Sequence, residues 1–485
     1  MKASLLALGL ALLAPLAHAA SDPDSGPATP NLVQNIQTSA ALLAVDYSPD
    51  GKRLVTGGLG RDIVIWDAET GKQAMVLHGH TDDVVTVKFS PNGRYIASGG
   101  VDKALILWDA ITGEILRKNT DHTDYVRDVA FSPDSKLVAS AGWDGQAIVW
   151  ETFSGIKVAT LTGQKAAAVA STAAYEKNRT NKGRSNNMTS VAFSPNGAEL
   201  LTASGDRTVR GWDTQTWQQK YVLNGHTDEV WDARFSPNGR FVVSGAWDNT
   251  ARIWDVSTRQ AVAVVPAHLS DVWGTTFSPD GQLIATCGGD RKVKVWDMAT
   301  GLLVRDVSGE AHTAEVETLV FSPDGRQLAS VSRDGSLKIW RVPSTFDRVS
   351  AYADTQLEKW EKKGEFEKTD EYQKRMAQKL KRWEEFKQEA RTKMLAAFPQ
   401  SADWQNFSLA SYNPDTEMYQ VSSKLFAGPF FIKVAPRDAE QLRNNFGKVI
   451  YGTPALELKN DALLLKSVEL TVPTGSETKV FTVMR

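Results

Sequence analysis

The sequence predicts an all-β propeller of seven four-stranded blades, followed by an amphipathic helix and a small α+β domain, and three observations carry the prediction. Trp66-Asp67 recurs as Trp108-Asp109, Trp150-Glu151, Trp212-Asp213, Trp254-Asp255, Trp296-Asp297 and Trp340-Arg341, at spacings of 42, 42, 62, 42, 42 and 44 residues. A turn signature keeps the same phase, from Tyr47-Ser48-Pro49-Asp50-Gly51 and Phe89-Ser90-Pro91-Asn92-Gly93 through Phe131, Phe193, Phe235 and Phe277 to Phe321. After Pro343 the repeat stops and the composition shifts to Lys, Glu, Gln and Arg. At 485 residues the chain also exceeds what one hydrophobic core usually supports.

The N-terminus reads as a processing signal. Lys2, the apolar run Leu5 to Leu16 and the small residues around Ala17-His18-Ala19 predict cleavage of residues 1–19 before Ala20 and export of the mature chain, to a bacterial periplasm or as a secreted protein. That run falls short of the roughly 20 apolar residues a membrane helix needs. No other segment is long and apolar enough, so no integral membrane segment is expected in the mature chain. Residues 20–30 read as a Pro/Gly-rich linker, in which Asp22-Pro23-Asp24-Ser25-Gly26 lacks the later ligands of a calcium loop.

Within residues 31–343 each period supplies the same parts. Val84 to Phe89 is β-rich and enters Ser90-Pro91-Asn92-Gly93, where Pro presets the turn and Gly accepts a positive φ. Tyr95 to Ser98 forms a second strand, Ala104 to Trp108 a third, and Thr112-Gly113 turns the chain into a fourth. Radial packing buries apolar faces that no single blade could bury alone. Leu32-Val33-Gln34-Asn35-Ile36 stands where other periods carry their fourth strand, and the last period ends soon after Trp340; the N-terminal strand is therefore expected to complete the seventh blade and close the ring. The long spacing before Trp212 marks an insertion at about residues 163–188.

A second set of residues repeats in phase with the Trp. Ten positions before it stand Thr56, Ser98, Ser140, Thr202, Ser244, Thr286 and Ser330; six before it stand Asp102, Asp144, Asp206, Asp248, Asp290 and Asp334, with Gly60 in the first copy; twenty-eight before it stand His80, His122, His226, His268 and His312. Residues 31–343 resemble the WD40 repeat family on these motifs. The resemblance implies a hydrogen-bonded tetrad in each blade: carboxylate to imidazole, imidazole to hydroxyl, hydroxyl to indole, satisfying polar groups that would otherwise be buried alone. The expected full sets are His80, Ser98, Asp102 and Trp108; His122, Ser140, Asp144 and Trp150; His226, Ser244, Asp248 and Trp254; His268, Thr286, Asp290 and Trp296; and His312, Ser330, Asp334 and Trp340. The first copy has Thr38 at the His position and the fourth has Arg184, so these two blades are expected to be less rigidly pinned.

Little in the sequence invites chemistry. The 42-residue phasing puts one His in each blade rather than several around one point, so no metal site is expected. There is no His-Glu-x-x-His, Gly-x-Ser-x-Gly, phosphate loop or paired Cys motif, and no cofactor or catalytic residue is assigned. The single cysteine, Cys287, excludes an intramolecular disulfide and reads as a small buried hydrophobe. Lys and Arg number 55 against 57 Asp and Glu, a balance that disfavours nucleic acid as partner.

Residues 344–398 form a charged helical segment. Tyr372, Met376, Leu380, Trp383, Phe386, Ala390 and Met394 recur at spacings of three and four, which predicts one amphipathic helix opened by Thr369-Asp370-Glu371, stopped at Pro399 and buried on its own C-terminal domain. Phe366-Glu367-Lys368-Thr369-Asp370-Glu371-Tyr372-Gln373-Lys374-Arg375 resembles a short signature of accessory domains in exported bacterial proteins, with Lys368 inserted. In residues 399–485, Phe430 to Val434, Val449 to Tyr451, Ala455 to Leu458, Ala462 to Leu465, Val468 to Val472 and Val480 to Val483 read as strands. Asn460-Asp461 reads as a hairpin turn, and Asp438 with Gln441 as a capping pair opening a helix that closes at Gly447.

Resemblance to the family implies a rigid platform whose top face takes peptides or proteins. On that pattern the third and fifth residues after each His and the residue before each tetrad Asp face upward: Asp83, Val85, Tyr125, Arg127, Glu229, Trp231, Asp271, Trp273, Glu315, Glu317, Val101, Trp143, Trp247 and Arg333. Of these, Tyr125, Arg127, Trp143, Trp231, Trp247, Trp273 and Arg333 have the composition of binding hot spots and are the candidate partner-binding residues. The insertion is expected on the same face, as a possible cover. A non-catalytic scaffold for a protein or peptide is the expected function; the alternative is an enzyme or small-ligand receptor using the central channel or the C-terminal domain.

Overall fold

The computed structural model describes residues 31–163, 186–307, 312–362, 367–401, 407–423, 430–452, 454–459, 462–474 and 477–484. The expected signal (1–19), the linker (20–30), most of the 163–188 insertion with Arg184, Phe366 and the Asn460-Asp461 turn lie outside these residues.

Seven four-stranded antiparallel sheets form the blades, the first made of Leu42–Tyr47, Arg53–Gly58, Ile63–Asp67 and Gln73–Leu77. The first strands of successive blades contact one another around the ring axis. The seventh sheet combines Val316–Phe321, Gln327–Ser332 and Ser336–Arg341 with the N-terminal strand Leu32–Gln37, whose Ile36 lies opposite Leu337. Segments some 300 positions apart are thus stitched by a ladder whose flanks add Arg341 N–H to Asn31 O and Thr38 N–H to Gly335 O, each at 2.8 Å, and the seventh blade has four strands like the other six.

Between blades, each tryptophan of the repeat is buried with aliphatic residues of its neighbour, as Trp108 is with Val55, Ile63 and Leu77. Burying one such apolar side chain stabilises by about 1.5–3 kcal/mol, and seven repetitions make the ring. Cys287 joins the core of blades six and seven, where burial, and then Asp232 and Glu317, push its thiol well above the usual range. In the Ser-Pro-x-Gly turns the serine hydroxyl closes the loop, Ser90 Oγ accepting from Tyr95 N–H at 2.9 Å. The third blade has Ser135 where the others have glycine, at φ 61°, and Ser135 Oγ accepts Asn92 N–H from the adjacent blade at 3.1 Å.

The helical appendage departs from the single helix expected. Helix α1, Thr345–Glu361, was not legible in the stripe but is opened by a capping box in which Ser344 Oγ accepts Asp347 N–H and the Asp347 carboxylate accepts Ser344 N–H. The expected helix is two: α2, Thr369–Met376, and α3, Lys379–Ser401. They are separated at Ala377-Gln378, where Gln378 N–H reaches Arg375 O three residues back at 2.9 Å; within α3, Leu380 of the first turn points to solvent while Phe386, Ala390 and Met394 are buried. Lys368, not Thr369, precedes the first helical residue, and no side chain caps it. Pro399 does not end α3, which continues to Ser401.

The stripe is buried mainly on α1 and the propeller rather than on the C-terminal domain. Val349 and Tyr352 of α1, Ala390 and Met394 of α3, and Ala299 and Leu302 of the sixth blade share one cluster. Arg348 pins it: Nε donates to Asp297 Oδ2 at 2.6 Å and Nη2 to Gln282 Oε1 at 3.2 Å, all three residues buried. The Glu367…Arg375 signature closes the α1–α2 corner: the guanidinium binds both oxygens of Glu367 at 2.8 Å and lies over the Trp360 and Tyr372 rings.

A seven-stranded antiparallel sheet ends the chain, with Phe398 of α3 in its core. Phe407–Asn413 and Met418–Ser423 are strands the sequence reading missed, and Ala462–Thr474 is one strand where two were expected. Helix α4, Pro436–Asn445, begins two residues before Asp438, which accepts from Lys479 Nζ rather than capping the helix; Gly447 lies in a following 3-10 turn.

Candidate protein-interaction face

The tetrads come first, because they fix the loops that carry the face. In the second blade Trp108 Nε1 donates to Ser98 Oγ at 2.8 Å, His80 Nε2 lies 2.8 Å from that oxygen, and His80 Nδ1 lies 2.9 Å from Asp102 Oδ1. An ionised carboxylate can only accept, so Nδ1 carries the proton and Nε2 accepts from the hydroxyl. The corresponding indole, hydroxyl and carboxylate distances are 3.3, 2.8 and 2.9 Å through Trp150, Ser140, His122 and Asp144. They are 2.8, 2.7 and 2.9 Å through Trp254, Ser244, His226 and Asp248, and 3.0, 2.9 and 2.7 Å through Trp296, Thr286, His268 and Asp290.

Each aspartate also accepts the backbone N–H that follows the histidine, as Asp102 does from Thr81 and Asp248 from Thr227, both at 3.0 Å. Burial alone would raise the Asp102 carboxyl; the His80 and Thr81 hydrogen bonds outweigh it and hold Asp102 at about 2. The seventh blade differs. Trp340, Ser330 and His312 are linked at 2.8 Å, but His312 Nδ1 is 2.8 Å from Ser336 Oγ and 3.3 Å from Asp334. There, burial holds the imidazole down at about 4 against the pull of Asp334.

The first and fourth blades keep only the indole–hydroxyl link, Trp66 to Thr56 at 2.8 Å and Trp212 to Thr202 at 3.0 Å. The fourth is nonetheless pinned. Arg210 donates through Nη2 to Asp206 Oδ2 and through Nη1 to Thr208 Oγ1, each at 2.6 Å, with both charged side chains buried. The fourth tetrad is incomplete as expected; the Arg210 pair, two positions before Trp212, is what sequence reasoning missed.

Loops held this way bring all seven candidate residues to one end of the channel. Tyr125 stacks on Trp143 with centroids 5.1 Å apart, Trp143 meets Trp231 edge-on at 6.4 Å, and Trp231 stacks on Trp247 at 4.8 Å. The third and fifth blades thus touch over the fourth, whose equivalent positions are the small Asn187, Thr189 and Gly205. Arg127 lies over Trp231 at 5.1 Å and Arg333 over Trp273 at 5.2 Å. Glu317 joins them, taking Arg333 Nε at 2.5 Å with Arg127 Nη2 at 3.9 Å. Sequence reasoning placed Glu317 upward without making it the hub. The indole N–H groups of Trp231 and Trp273 are buried with no acceptor among the described residues.

Below this layer the channel is polar and narrow. Arg127, Asp128, Trp231, Asp232, Arg234 and Glu317 line a cavity of about 40 Å³. Arg234 pairs with Asp128 and Asp232, each at 3.0 Å, and the carboxylates cross between blades, Asp46 to Phe89 N–H at 2.8 Å and Asp232 to Thr275 N–H at 2.9 Å. Burial raises the Asp46 carboxyl even with Lys88 beside it. Among the described residues no His, Cys, Asp and Glu cluster is arranged to hold a metal ion, and no helix is long and apolar enough to cross a membrane.

Comparison with known proteins adds two findings. The family model described as "WD domain, G-beta repeat" matches seven segments, residues 31–67, 71–109, 113–151, 175–213, 217–255, 259–297 and 305–341. The general transcriptional corepressor TUP1 of Saccharomyces cerevisiae is 41% identical over 61 residues, which are 11% of this chain and 9% of that protein. The chain therefore spans a small part of that relative's length.

Proposed function

Because the chain belongs to the WD40, G-beta repeat family, whose propellers are generally non-catalytic scaffolds, we propose that it binds a protein or peptide through the propeller's top face. The observation that carries this reading is the run Tyr125, Trp143, Trp231, Trp247 with Trp273 beside it: half-buried aromatic rings, gathered from three blades onto loops the tetrads make rigid. Large side chains already ordered lose little entropy on binding, which is why such clusters dominate interface energetics. The channel favours the same reading, since a throat of about 40 Å³ is far below the roughly 300–1,000 Å³ of a small-ligand pocket. The likeness to a corepressor extends over little more than one repeat and supports the repeat type alone.

The protein acts outside the cytoplasm in this proposal, with residues 1–19 removed on export; the support is the sequence of that segment. Mass spectrometry of the natively produced chain is expected to find an N-terminus near Ala20, and retention of residues 1–19 in a membrane fraction would reverse the proposal. For the binding reading, cross-linking from a photoreactive residue at Tyr125 or Trp247 is expected to trap one discrete partner. Trapping only from α3 or the C-terminal sheet would move the recognition site to the appendage.

A further inference from the structure

The third blade departs from its neighbours at the end of its strands opposite the indole run. Where the first, second, fourth, fifth and sixth blades follow the repeat Trp with Asp, it has Glu151. The aspartates fold back on the turn, as Asp109 does in accepting Ile111 N–H at 2.8 Å and Thr112 N–H at 2.9 Å. The longer Glu151 accepts Ser154 Oγ at 2.7 Å and no backbone N–H among the described residues, and it is exposed. Thr152 is 3% exposed, and its hydroxyl has no partner among the described residues. Its counterpart Thr214 donates to Gly197 O at 2.7 Å, and the other blades have apolar side chains there. Phe153 is 75% exposed, with the Arg117 guanidinium 5.9 Å from its centroid. These three residues line one cleft of about 780 Å³, together with Ser135, which stands in a glycine's place, and with Asn92 and Asn196 on the flanking turns. The repeat fold needs only the shared residues, so departures that forfeit local stability and gather in one cleft mark a site.

We propose that this cleft binds a neutral oligosaccharide, which lays the C–H face of one sugar ring on Phe153 and sets its hydroxyls against Glu151 and the asparagine amides. The walls carry little net charge: Asp134 and Lys136 pair at 3.3 Å, and Glu151 is the remaining carboxylate among the lining residues. Asn92 and Asn196 each accept a serine hydroxyl at 2.7 Å through Oδ1, from Ser90 and Ser194, which leaves their NH2 groups as donors. A pyranose matches this set, because its C–H face packs on the electron-rich face of an aromatic ring while its hydroxyls donate to a carboxylate and accept from amides. A phosphorylated ligand would need a free cation, and a lipid chain would leave the polar walls unpaired. Walls made mainly of turns offer no strand edge to a peptide. The volume falls within the roughly 300–1,000 Å³ of small-ligand sites. This site stands whether or not the top face binds a protein.

The test is calorimetric titration of the full chain with linear trimers of glucose, galactose and N-acetylglucosamine, beside a galacturonate trimer. At least one neutral trimer is expected to bind with a Kd at or below about 1 mM, and the galacturonate trimer at least about tenfold more weakly, because it meets Glu151. Phe153→Ala is expected to weaken the neutral trimer about tenfold or more. Glu151→Asp is expected to weaken it as well without lowering the melting temperature, since the shorter carboxylate can close the turn. Thermal melting shows that each variant is folded. Trp247→Ala, at the other end of the ring, is expected to leave saccharide binding unchanged. Failure of every neutral trimer to bind, preference for galacturonate, or binding untouched by both Phe153→Ala and Glu151→Asp overturns the proposal. Binding lost in Trp247→Ala but kept in Phe153→Ala puts the sugar on the top face and overturns it too.

Discussion

Arg210 donates to Asp206 at 2.6 Å in the fourth blade, one of two that lack a tetrad histidine. A buried charge pair therefore replaces a histidine relay, and its value is asymmetric: removing one member leaves the other charged and desolvated. Arg210→Ala is expected to cost about 3 kcal/mol in denaturant unfolding. Arg210→Met with Asp206→Asn is expected to lose less than the sum of the single changes, since neither orphan remains. Additive losses would show that the pair does not couple.

Asp248 and Asp62 both contact a histidine, yet their environments differ. Asp248 is nearly inaccessible and serves His226, Thr227 N–H and Thr250, whereas the His78–Asp62 pair is largely in solvent. Asp248→Ala is expected to destabilise by about 2–3 kcal/mol, and Asp62→Ala by no more than about 0.5 kcal/mol. Equal shifts in melting temperature would remove the tetrad from any account of stability.

Acid is expected to act on the seventh blade first. His312, held at about 4 by burial, binds its proton less readily folded than unfolded. Its contribution is complete above pH 6.5 or so and is lost as pH falls from there toward 4, by about 3 kcal/mol in all. Asp102, at about 2 in the fold, acts in a lower window: its stabilisation is complete above roughly pH 4 and disappears as pH falls through 2. Unfolding free energy measured from pH 7 to 4.5 is expected to decline, with a shallower slope in His312→Gln; parallel slopes would assign the decline elsewhere.

Trp247→Ala is expected to leave the melting temperature within a few degrees while weakening capture of the protein partner about thirtyfold, the effect of about 2 kcal/mol. Quantitative pull-down with purified chain checks it, and unchanged capture counts against the top face.

Arg348→Ala strands the buried carboxylate of Asp297. The expected result is release of α1 and α3 from the sixth blade, read as faster proteolysis near Pro343 with the propeller core still resistant. Unaltered cleavage would show that the apolar cluster of Val349, Tyr352, Ala390 and Met394 suffices to dock the helices.

Blade number, strand order and ring closure were legible because each rests on a local pattern repeated seven times, so that an error in one copy is outvoted by phase. The tetrad partners were legible for the same reason: fixed offsets from Trp108 or Trp254 become fixed positions in space once strand register is set. The appendage has a single copy and no such redundancy. There one interrupted turn at Ala377-Gln378 divided the expected helix in two, and the strands Phe407–Asn413 and Met418–Ser423, with exposed residues among buried ones, went unseen.

By itself, then, the sequence determined that the blades form and how many there are, and its resemblance to the WD40 family implied that Tyr125, Arg127, Trp143, Trp231, Trp247, Trp273 and Arg333 share one end of the ring. Only the tertiary structure decided which of them touch. Trp143 meets Trp231 over an intervening blade, Glu317 joins Arg333 of its own blade to Arg127 of the third, and Arg210 pairs with Asp206 in the repeat whose histidine position holds Arg184. The reason is range: strand pleating and turn chemistry act over a few residues and are written in the local pattern, whereas side chains converging on the channel come from segments up to about 270 positions apart, as Asp46 and Glu317 are, brought together by closure of the ring.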